Sequence, residues 1–399
     1  MAYDYDVVIV GAGPAGLSTA DSVAKSGLSC LVVEKNQKVG HPVRTSGATW
    51  LDEMSELGIP RKYLHPISRV SIIGPHEEVS VEFDETNACV MDVSRAYQFL
   101  ASQAQKSGVE LKLGAKVKDI LIEGGLVKGV KLEGDDELDY IKCRVTVDAS
   151  GFNAVLLKKL GIIEDWERKA VGVQYNVLSS NLDHQQVLLF VGERFAPCGY
   201  GWFFPWKRSE VRIGVGVIRP DCRANPDQFA QRLVGSEYVS RLMNDYRVLE
   251  KEVGIFSCSG PLKNALANGF LAVGDAAGLG SPLHGEGIRY AIKFGRKAGD
   301  IISRAIVEGD VSKRNLRSFE KMWRKTEERN FRIGLSIQKR VSLYTDEQWD
   351  KGLRYLGDIA ERDRQLFIQM FKSNFSYRNI WRVFRNSPVR ALKVLLRSL

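Results

Sequence analysis

The 399-residue chain contains no Cys-x-x-C pair; its six cysteines (Cys30, Cys89, Cys143, Cys198, Cys222, Cys258) are scattered. That spacing supports neither a metal site nor a disulfide framework, and it fits reduced thiols in a cytosol-facing protein. The five histidines are equally dispersed, so no metal is expected. No stretch approaches the ~18 uncharged apolar residues of a transmembrane helix. No secretory leader is read at the start, because Asp6 interrupts the first apolar run and a glycine loop follows it. Acidic residues are missing altogether after Asp363. The formal net charge of +9 leaves three partners open: nucleic acid, an anionic membrane surface or an acidic protein. With 44% hydrophobic residues the chain reads as a cytoplasmic globular protein, long enough for two or three domains.

What is present begins at once. Tyr5 to Val10 is a short, branched apolar run of the kind that forms a buried parallel strand. It breaks into Gly11-Ala12-Gly13-Pro14-Ala15-Gly16, and Leu17 to Ser26 then reads as a helix ended by Gly27. Ser29 to Val33 is a second strand, closed by Glu34 and Lys35. Gly11 permits the tight turn, Gly13 lets backbone approach a pyrophosphate, and Gly16 lets helix and strand pack closely. The helix start, at Pro14 and Ala15, then aims its free N–H groups at the phosphates. Glu34 stands where a carboxylate accepts from a ribose hydroxyl, which argues for FAD or NAD over NADP.

The loop Val39 to Thr49 carries Arg44, Thr45 and Gly47, and loops at the carboxyl ends of such strands face the ligand. Residues 69–84 alternate like an antiparallel pair, and 96–106 is helical. Strand-like stretches follow at 109–113, 117–123, 126–132 and 138–143, and a separate buried strand, Arg144 to Asp148, runs into Ala149-Ser150-Gly151. From about 165 to 257 the period is that of a second, largely antiparallel sheet rich in aromatics, interrupted by a helical insert from Pro226 to Arg247. Gly269 to Gly278 returns to an apolar strand followed by Gly274-Asp275, and Pro282-Leu283-His284-Gly285-Glu286-Gly287 opens a long helix near Ile288. Helices are read beyond 312. The expected division is 1–68, 90–164 and 258–311 for a cofactor domain, 69–89 and 165–257 for a substrate sheet, and 312–399 for a helical C-terminal region.

The early glycine unit, Asp148 to Gly151 and Gly274-Asp275 together resemble the glutathione-reductase-type FAD-binding Rossmann fold, an α/β class, in its p-hydroxybenzoate-hydroxylase-like branch. Within it, Tyr200-Gly201-Trp202-Phe203-Phe204-Pro205 and Gly40-His41-Pro42-Val43-Arg44 resemble the geranylgeranyl reductase family over nearly the whole chain. The resemblance implies FAD, held by Gly11, Gly13, Pro14, Ala15, Gly16, Glu34, Lys35, Arg44, Thr45, Gly47, Arg95, Val117, Asp148, Gly151, Gly274, Asp275, Pro282, Gly285, Gly287 and Ile288. It implies reduction of C=C bonds in an isoprenoid or polyprenyl lipid, by hydride from reduced flavin and a proton from an unassigned donor. Tyr200, Trp202, Phe204 and Pro205 form the expected substrate wall, since residues two apart share one face of a strand. Thr45, Tyr200 and Trp202 are the pocket residues expected nearest the chemistry. Only one dinucleotide fingerprint is present, so ferredoxin, a quinol or transiently bound NAD(P)H all remain open as electron donor.

The chain departs from the family at Thr45-Ser46, where members usually carry Cys-Gly, and at Glu286, a carboxylate near the flavin that is either a proton donor or, the reading preferred here, merely solvated. At the C-terminus, Ser387-Pro388 is a good helix start, beyond which Val389, Leu392, Leu396 and Leu399 share helical spacing with Arg390, Lys393 and Arg397 on another side. Such a helix suits the surface of an anionic bilayer, giving peripheral membrane contact, or packs on the body as an ordinary terminal helix. Nucleic acid fits less well, as no recognition fold accompanies the charge. Two rival readings stand beside the reductase: a flavin monooxygenase or halogenase, faintly supported by Trp202 to Trp206, and a flavin-bearing membrane-surface protein without turnover.

Overall fold

The computed structural model describes residues 3–82, 88–134, 140–243 and 245–386. Tyr5–Val10, buried on both faces, lies at the centre of a parallel array ordered Phe270–Ala272, Ile141–Asp148, Tyr5–Val10, Cys30–Glu34 and Glu110–Leu113. Leu266–Ala267 adds an antiparallel edge, and the hairpin Val117–Glu123 with Leu126–Leu132 joins through Ile141–Asp148. Two strands read separately from the sequence are one. Ile141–Asp148 starts antiparallel to Leu126–Leu132, at Lys142 opposite Gly129, then runs parallel to Tyr5–Val10 from Cys143 onward, so the strand changes partner without breaking. The helix Pro14–Lys25 covers one face of the array and packs on the long helix Ile288–Val307. Gly295 and Gly299, one turn apart, permit that approach: a Cβ at either would meet the carbonyl oxygen of Ala15 or Thr19 at 2.5 and 2.6 Å.

The second sheet has seven strands, ordered Tyr246–Ser257, Lys169–Ser179, Glu210–Arg219, Gly199–Pro205, Gln186–Phe190, Arg69–Ile73 and Glu78–Glu82. All neighbours are antiparallel except Arg69–Ile73 beside Gln186–Phe190. The expected helical insert is shorter than 226–247: it is two helices, Pro226–Val234 and Glu237–Ser240, after which Tyr246–Ser257 forms a twelve-residue edge strand. Pairing with Lys169–Ser179 over its whole length overrides the mixed polarity that had hidden it. Ala48–Trp50, Ala88–Met91 and Leu64–Ile67 make a small third sheet between the two.

The C-terminal region is helical: Ser318–Val341, Asp346–Arg362, Arg364–Phe371 and Tyr377–Asn386. A capping box, Thr345 with Gln348, starts the second of these. Leu353, Ile359, Leu366, Phe367 and Ile368 share one apolar cluster with Val70, Ile72, Val187, Trp202 and Phe204, so these helices cover one face of the second sheet. The basic terminal helix expected at 387–399 lies outside the described residues. Among those described, no helix is long and apolar enough to cross a membrane.

Candidate active site

At the carboxyl end of Tyr5–Val10 the glycines divide the work. A Cβ on Gly11 would run into the Ala149 carbonyl, and one on Gly16 into the Gly11 carbonyl, so both are required by backbone packing. Gly13 has nothing within 4 Å and opens, with Pro14 and Ala15, on a cavity of about 560 Å³. The helix behind it has no side-chain cap, leaving its first amides free to bind an anion. At the end of the second strand the Glu34 carboxylate accepts from Ala12 N at 2.9 Å and Asn36 N at 2.8 Å. Lys35, next to it, is exposed. Val117 is buried at the start of the hairpin, just past Ala115, whose N–H donates to the Glu34 carbonyl.

On the other side of the cavity Asp275 follows Phe270–Ala272, and its carboxylate makes no hydrogen bond to any described residue. Burial pushes it up to about 6. A Cβ on Gly287 would stand 2.9 Å from the Asp275 carboxylate, and Gly274 packs on the Ala15 methyl, so this turn and the first glycine loop are neighbours. Pro282, Gly285, Gly287 and Ile288 also line the cavity, at the start of Ile288–Val307. An uncapped helix start behind an open glycine, a carboxylate at the second strand's end and an unpartnered carboxylate beside a glycine turn fit a flavin dinucleotide.

Glu286 is not solvated. Its side chain is only 10% exposed; one oxygen accepts from Thr49 Oγ1 at 2.9 Å and the other faces Arg289 Nε at 3.0 Å. Arg289 reaches on to Glu53 at 2.5 Å and to the Lys372 carbonyl at 2.7 Å, and Lys372 Nζ meets Asp52 at 2.5 Å. Burial raises the Glu286 pKa while Arg289 and Thr49 oppose the rise. Its partners come from residues 49 and 289, and a position read alone between two glycines hides both.

Tyr200, Trp202 and Phe204 all face the cavity from Gly199–Pro205, with ring centroids 5.8 and 6.3 Å apart in sequence order. The Trp202 indole lies on a floor of glycines. A Cβ on Gly214 would meet its Cζ2 at 2.5 Å, and one on Gly172 or Gly216 would stand 3.3 or 3.4 Å from the ring. Gly214 and Gly216 sit inside a strand, which is the sequence signal for such a close approach. Trp202 Nε1 donates to Gln174 Oε1 at 3.1 Å, while Gln174 Nε2 bonds Glu252 and reaches the Thr45 carbonyl at 3.3 Å. Arg212, 2% exposed, donates to the carbonyls of Ser46 (2.8 Å) and Met91 (3.1 Å). The loop bearing Thr45 is thus tied to the aromatic wall by side chains that sequence reading missed: Gln174, Glu252 and Arg212. Away from the polar end the cavity is apolar, lined by Trp50, Ile72, Leu189, Leu353, Leu356 and Phe371 among others.

The remaining expected residues divide. Thr45 and Arg44 line the cavity, Arg44 being exposed at its rim, and Gly151 lines it too. Gly47 faces Arg212 and Val93. Asp148 differs from expectation: its carboxylate is fully buried and accepts from Ser150 N and Oγ and from Leu156 N and Leu157 N. It caps a short helix, so its acceptors are spent on backbone amides eight and nine residues on. Arg95 is 73% exposed and pairs with Asp92; the cavity takes Tyr97 from that helix instead. Pro205 is buried outside the cavity lining, and Trp206 is sandwiched by Lys207 and Arg212. Among the described residues no His/Cys/Asp/Glu cluster could hold a metal, and no lysine lines the cavity.

A model of the FAD binding domain family matches residues 4–329. The digeranylgeranylglycerophospholipid reductase of Methanothrix thermoacetophila is 30% identical over 346 residues, covering 85% of this chain and 86% of that protein. A geranylgeranyl bacteriochlorophyll reductase-like structure from Thermoplasma acidophilum superposes with a TM-score of 0.86 at 23% identity, covering 99% of each chain. The flavin-dependent brominase Bmp2 shares the fold at a TM-score of 0.67 and 20% identity, over 88% of this chain and 93% of that one.

Proposed function

Because this chain belongs to the geranylgeranyl reductase family of FAD-dependent oxidoreductases, we propose that it reduces C=C bonds of an isoprenoid or polyprenyl lipid. One observation carries the reading: an aromatic wall on a glycine floor, Tyr200, Trp202 and Phe204, faces a single cavity that is polar at the Asp275–Gly287 turn and apolar beyond it. In this reading Gly13, Pro14 and Ala15 would hold the pyrophosphate and Glu34 the ribose, Asp275 would accept from the ribityl chain, and the Glu286 and Gly287 amides would face the flavin's pyrimidine edge, the Gly285 amide being donated to the Ser281 carbonyl. Partial positive charge from the helix start at Ile288 would stabilise the reduced, anionic ring system. The bound flavin supplies the hydride. The protein's own residues orient the alkene, keep water out of a mostly apolar chamber and hold the Thr45 loop to the wall.

The experiment is anaerobic. The FAD-loaded protein is reduced with dithionite, geranylgeranyl lipids are added, and products are weighed by mass spectrometry. A gain of two hydrogens per reduced bond supports the reading; no gain with any polyprenyl substrate rejects it. Substrate-dependent oxygen consumption with a hydroxylated or halogenated product would favour the monooxygenase or halogenase rival. Ferredoxin, a quinol and NAD(P)H are the donors to compare for reduction of the flavin. Peripheral membrane contact through residues 387–399 is the accompanying proposal. Removing them should weaken binding to anionic vesicles and leave flavin content intact.

A further inference from the structure

His284 is the residue before Gly285 and lines the cavity. Its surroundings fix it on every side but one. Nδ1 lies 3.1 Å from Ser373 Oγ, and that hydroxyl lies 3.0 Å from Ser281 Oγ; both serines are buried. The ring stacks on Phe371, centroids 5.6 Å apart at 20°, and Phe371 stacks in turn on Phe367. The backbone carbonyl accepts from Tyr200 Oη at 2.7 Å. Nε2 makes no hydrogen bond to any described residue, yet it is not among the sealed, partnerless polar atoms of the interior. Nε2 is thus the ring nitrogen left open in a residue that lines the cavity.

The other acids along this cavity are engaged or weak. Both Glu286 oxygens are taken, by Thr49 and Arg289, and Glu252 is bonded by Gln174. Asp275 stands on the side proposed for the ribityl chain. Tyr200 spends its proton on the His284 carbonyl and is pushed up to about 12 by burial, while burial also raises Tyr97 and Cys89.

We propose that His284 is the acid that completes the reduction, its imidazolium releasing the Nε2 proton to one alkene carbon as the flavin's hydride reaches the other. The proposal rests on the reductase reading above. The π bond is lost, two C–H bonds form, the flavin is oxidised by two electrons, and the neutral imidazole takes its next proton from water. Burial first, and then the Arg289 guanidinium, holds this imidazolium down to about 4, which makes the charged form scarce at neutral pH but a strong acid. The nearby charges are otherwise committed: Glu286 and Glu53 to Arg289, and Lys372 to Asp52. Ser373 Oγ keeps Nδ1 partnered in either state, accepting from Nδ1–H in the imidazolium and again in the neutral imidazole left when Nε2 gives up its proton.

The test follows reoxidation of the pre-reduced flavin by digeranylgeranylglycerophospholipid in detergent micelles, comparing wild type with His284→Gln. The variant should keep its FAD content and its rate of reoxidation by oxygen, while lipid-driven reoxidation slows by about a hundredfold or more. In deuterated water the wild type should place deuterium on one face of the product, and the variant on both. The wild-type rate should rise as pH falls from about 8 to about 5, a slope that the variant loses. A variant rate within threefold of wild type, or a flat wild-type profile, overturns the assignment; the profile decides even if the variant fails to fold. A wild type whose flavin the lipid cannot reoxidise overturns the reductase reading and this proposal with it, and that arm requires no variant.

Discussion

The glycine floor under Trp202 gives a paired prediction with opposite signs one pleat apart. At Gly214 a methyl group would meet Trp202 Cζ2 at 2.5 Å, Gln174 Cβ at 2.6 Å and the Val173 carbonyl oxygen at 2.6 Å. The third neighbour is backbone in the adjacent strand, paired in register with Glu210–Arg219 over ten positions, so it cannot withdraw alone. Overpacking of this kind costs about 1–3 kcal/mol, and three simultaneous contacts under 3 Å put Gly214→Ala near the upper end. At Gly216 the nearest atoms are the Trp202 ring at 3.4 and 3.9 Å, ordinary contact distances. There the methyl group relieves the entropy cost of a glycine inside a strand, worth about 0.5–1 kcal/mol in the stabilising direction. The two variants should therefore differ by about 2–4 kcal/mol. Thermal unfolding of the FAD-loaded protein, followed by tryptophan fluorescence, measures the difference: Gly214→Ala melts several degrees lower, and Gly216→Ala at or above wild type. Gly214→Ala should also lose lipid turnover out of proportion to flavin content, since relief of the clash displaces the indole that forms the wall. Equal melting temperatures, or a greater loss at Gly216, would refute the placement of the indole on this floor.

Asp275→Asn should separate apoprotein stability from cofactor affinity. The folded carboxyl, raised to about 6, favours its protonated form, so wild-type stability is lost as pH rises through that value. The asparagine apoprotein should accordingly be more stable by about 1–3 kcal/mol near pH 8 yet bind FAD more weakly, as read by melting curves and flavin titration. Gln174→Leu leaves Trp202 Nε1 and a Glu252 carboxylate, only 7% exposed, without their partner, and should cost about 1–3 kcal/mol. Because burial already raises Glu252, that loss should shrink at acid pH, where the carboxyl protonates; an equal loss at both pH values would contradict it. Arg289→Met strips the charge from between Glu286 and Glu53 and should cost about 3–5 kcal/mol and most of the bound FAD, measured by denaturation and by flavin absorbance after gel filtration.

Legibility from sequence tracked the distance between partners. The strand, glycine loop, helix, strand and Glu34 were readable because one short stretch supplies every member of that unit. The alternation of Tyr200, Trp202 and Phe204 was readable for the same reason, as strand period alone puts them on one face. Asp148 shows where a local pattern misleads: the Asp-x-x-Gly stretch suggests a ligand contact, but amides eight and nine residues on consume the carboxylate. Glu286 shows the long-range case, with one partner in the next helical turn and the other at Thr49. The link from Trp202 through Gln174 to the Thr45 loop was invisible, because it spans three neighbouring strands of one sheet and a loop that lies 129 residues before Gln174. The in-strand glycines 214 and 216 were a missed opportunity, since glycine there already signals a large neighbour.

The C-terminal helices add something that the cofactor fold by itself does not supply. The matched FAD binding domain ends at residue 329, yet the apolar end of the cavity takes Ile337, Trp349, Leu353, Leu356, Met370 and Phe371 from beyond it. Three consecutive residues fasten that region to the 285–287 turn. Phe371 stacks on His284, the Lys372 carbonyl accepts from Arg289, and Ser373, in the left-handed region at φ +56°, meets His284 Nδ1. A non-glycine residue holds that backbone conformation only where its surroundings compensate. Here the compensation is contact with the turn itself, through Ser281 as well as His284. It follows that the apolar end of the cavity cannot rearrange without disturbing the turn proposed to meet the flavin. Substitutions at 371–373 should therefore alter flavin spectra and lipid selectivity together, whereas substitutions at Trp349 or Leu353, remote from the turn, should alter selectivity alone.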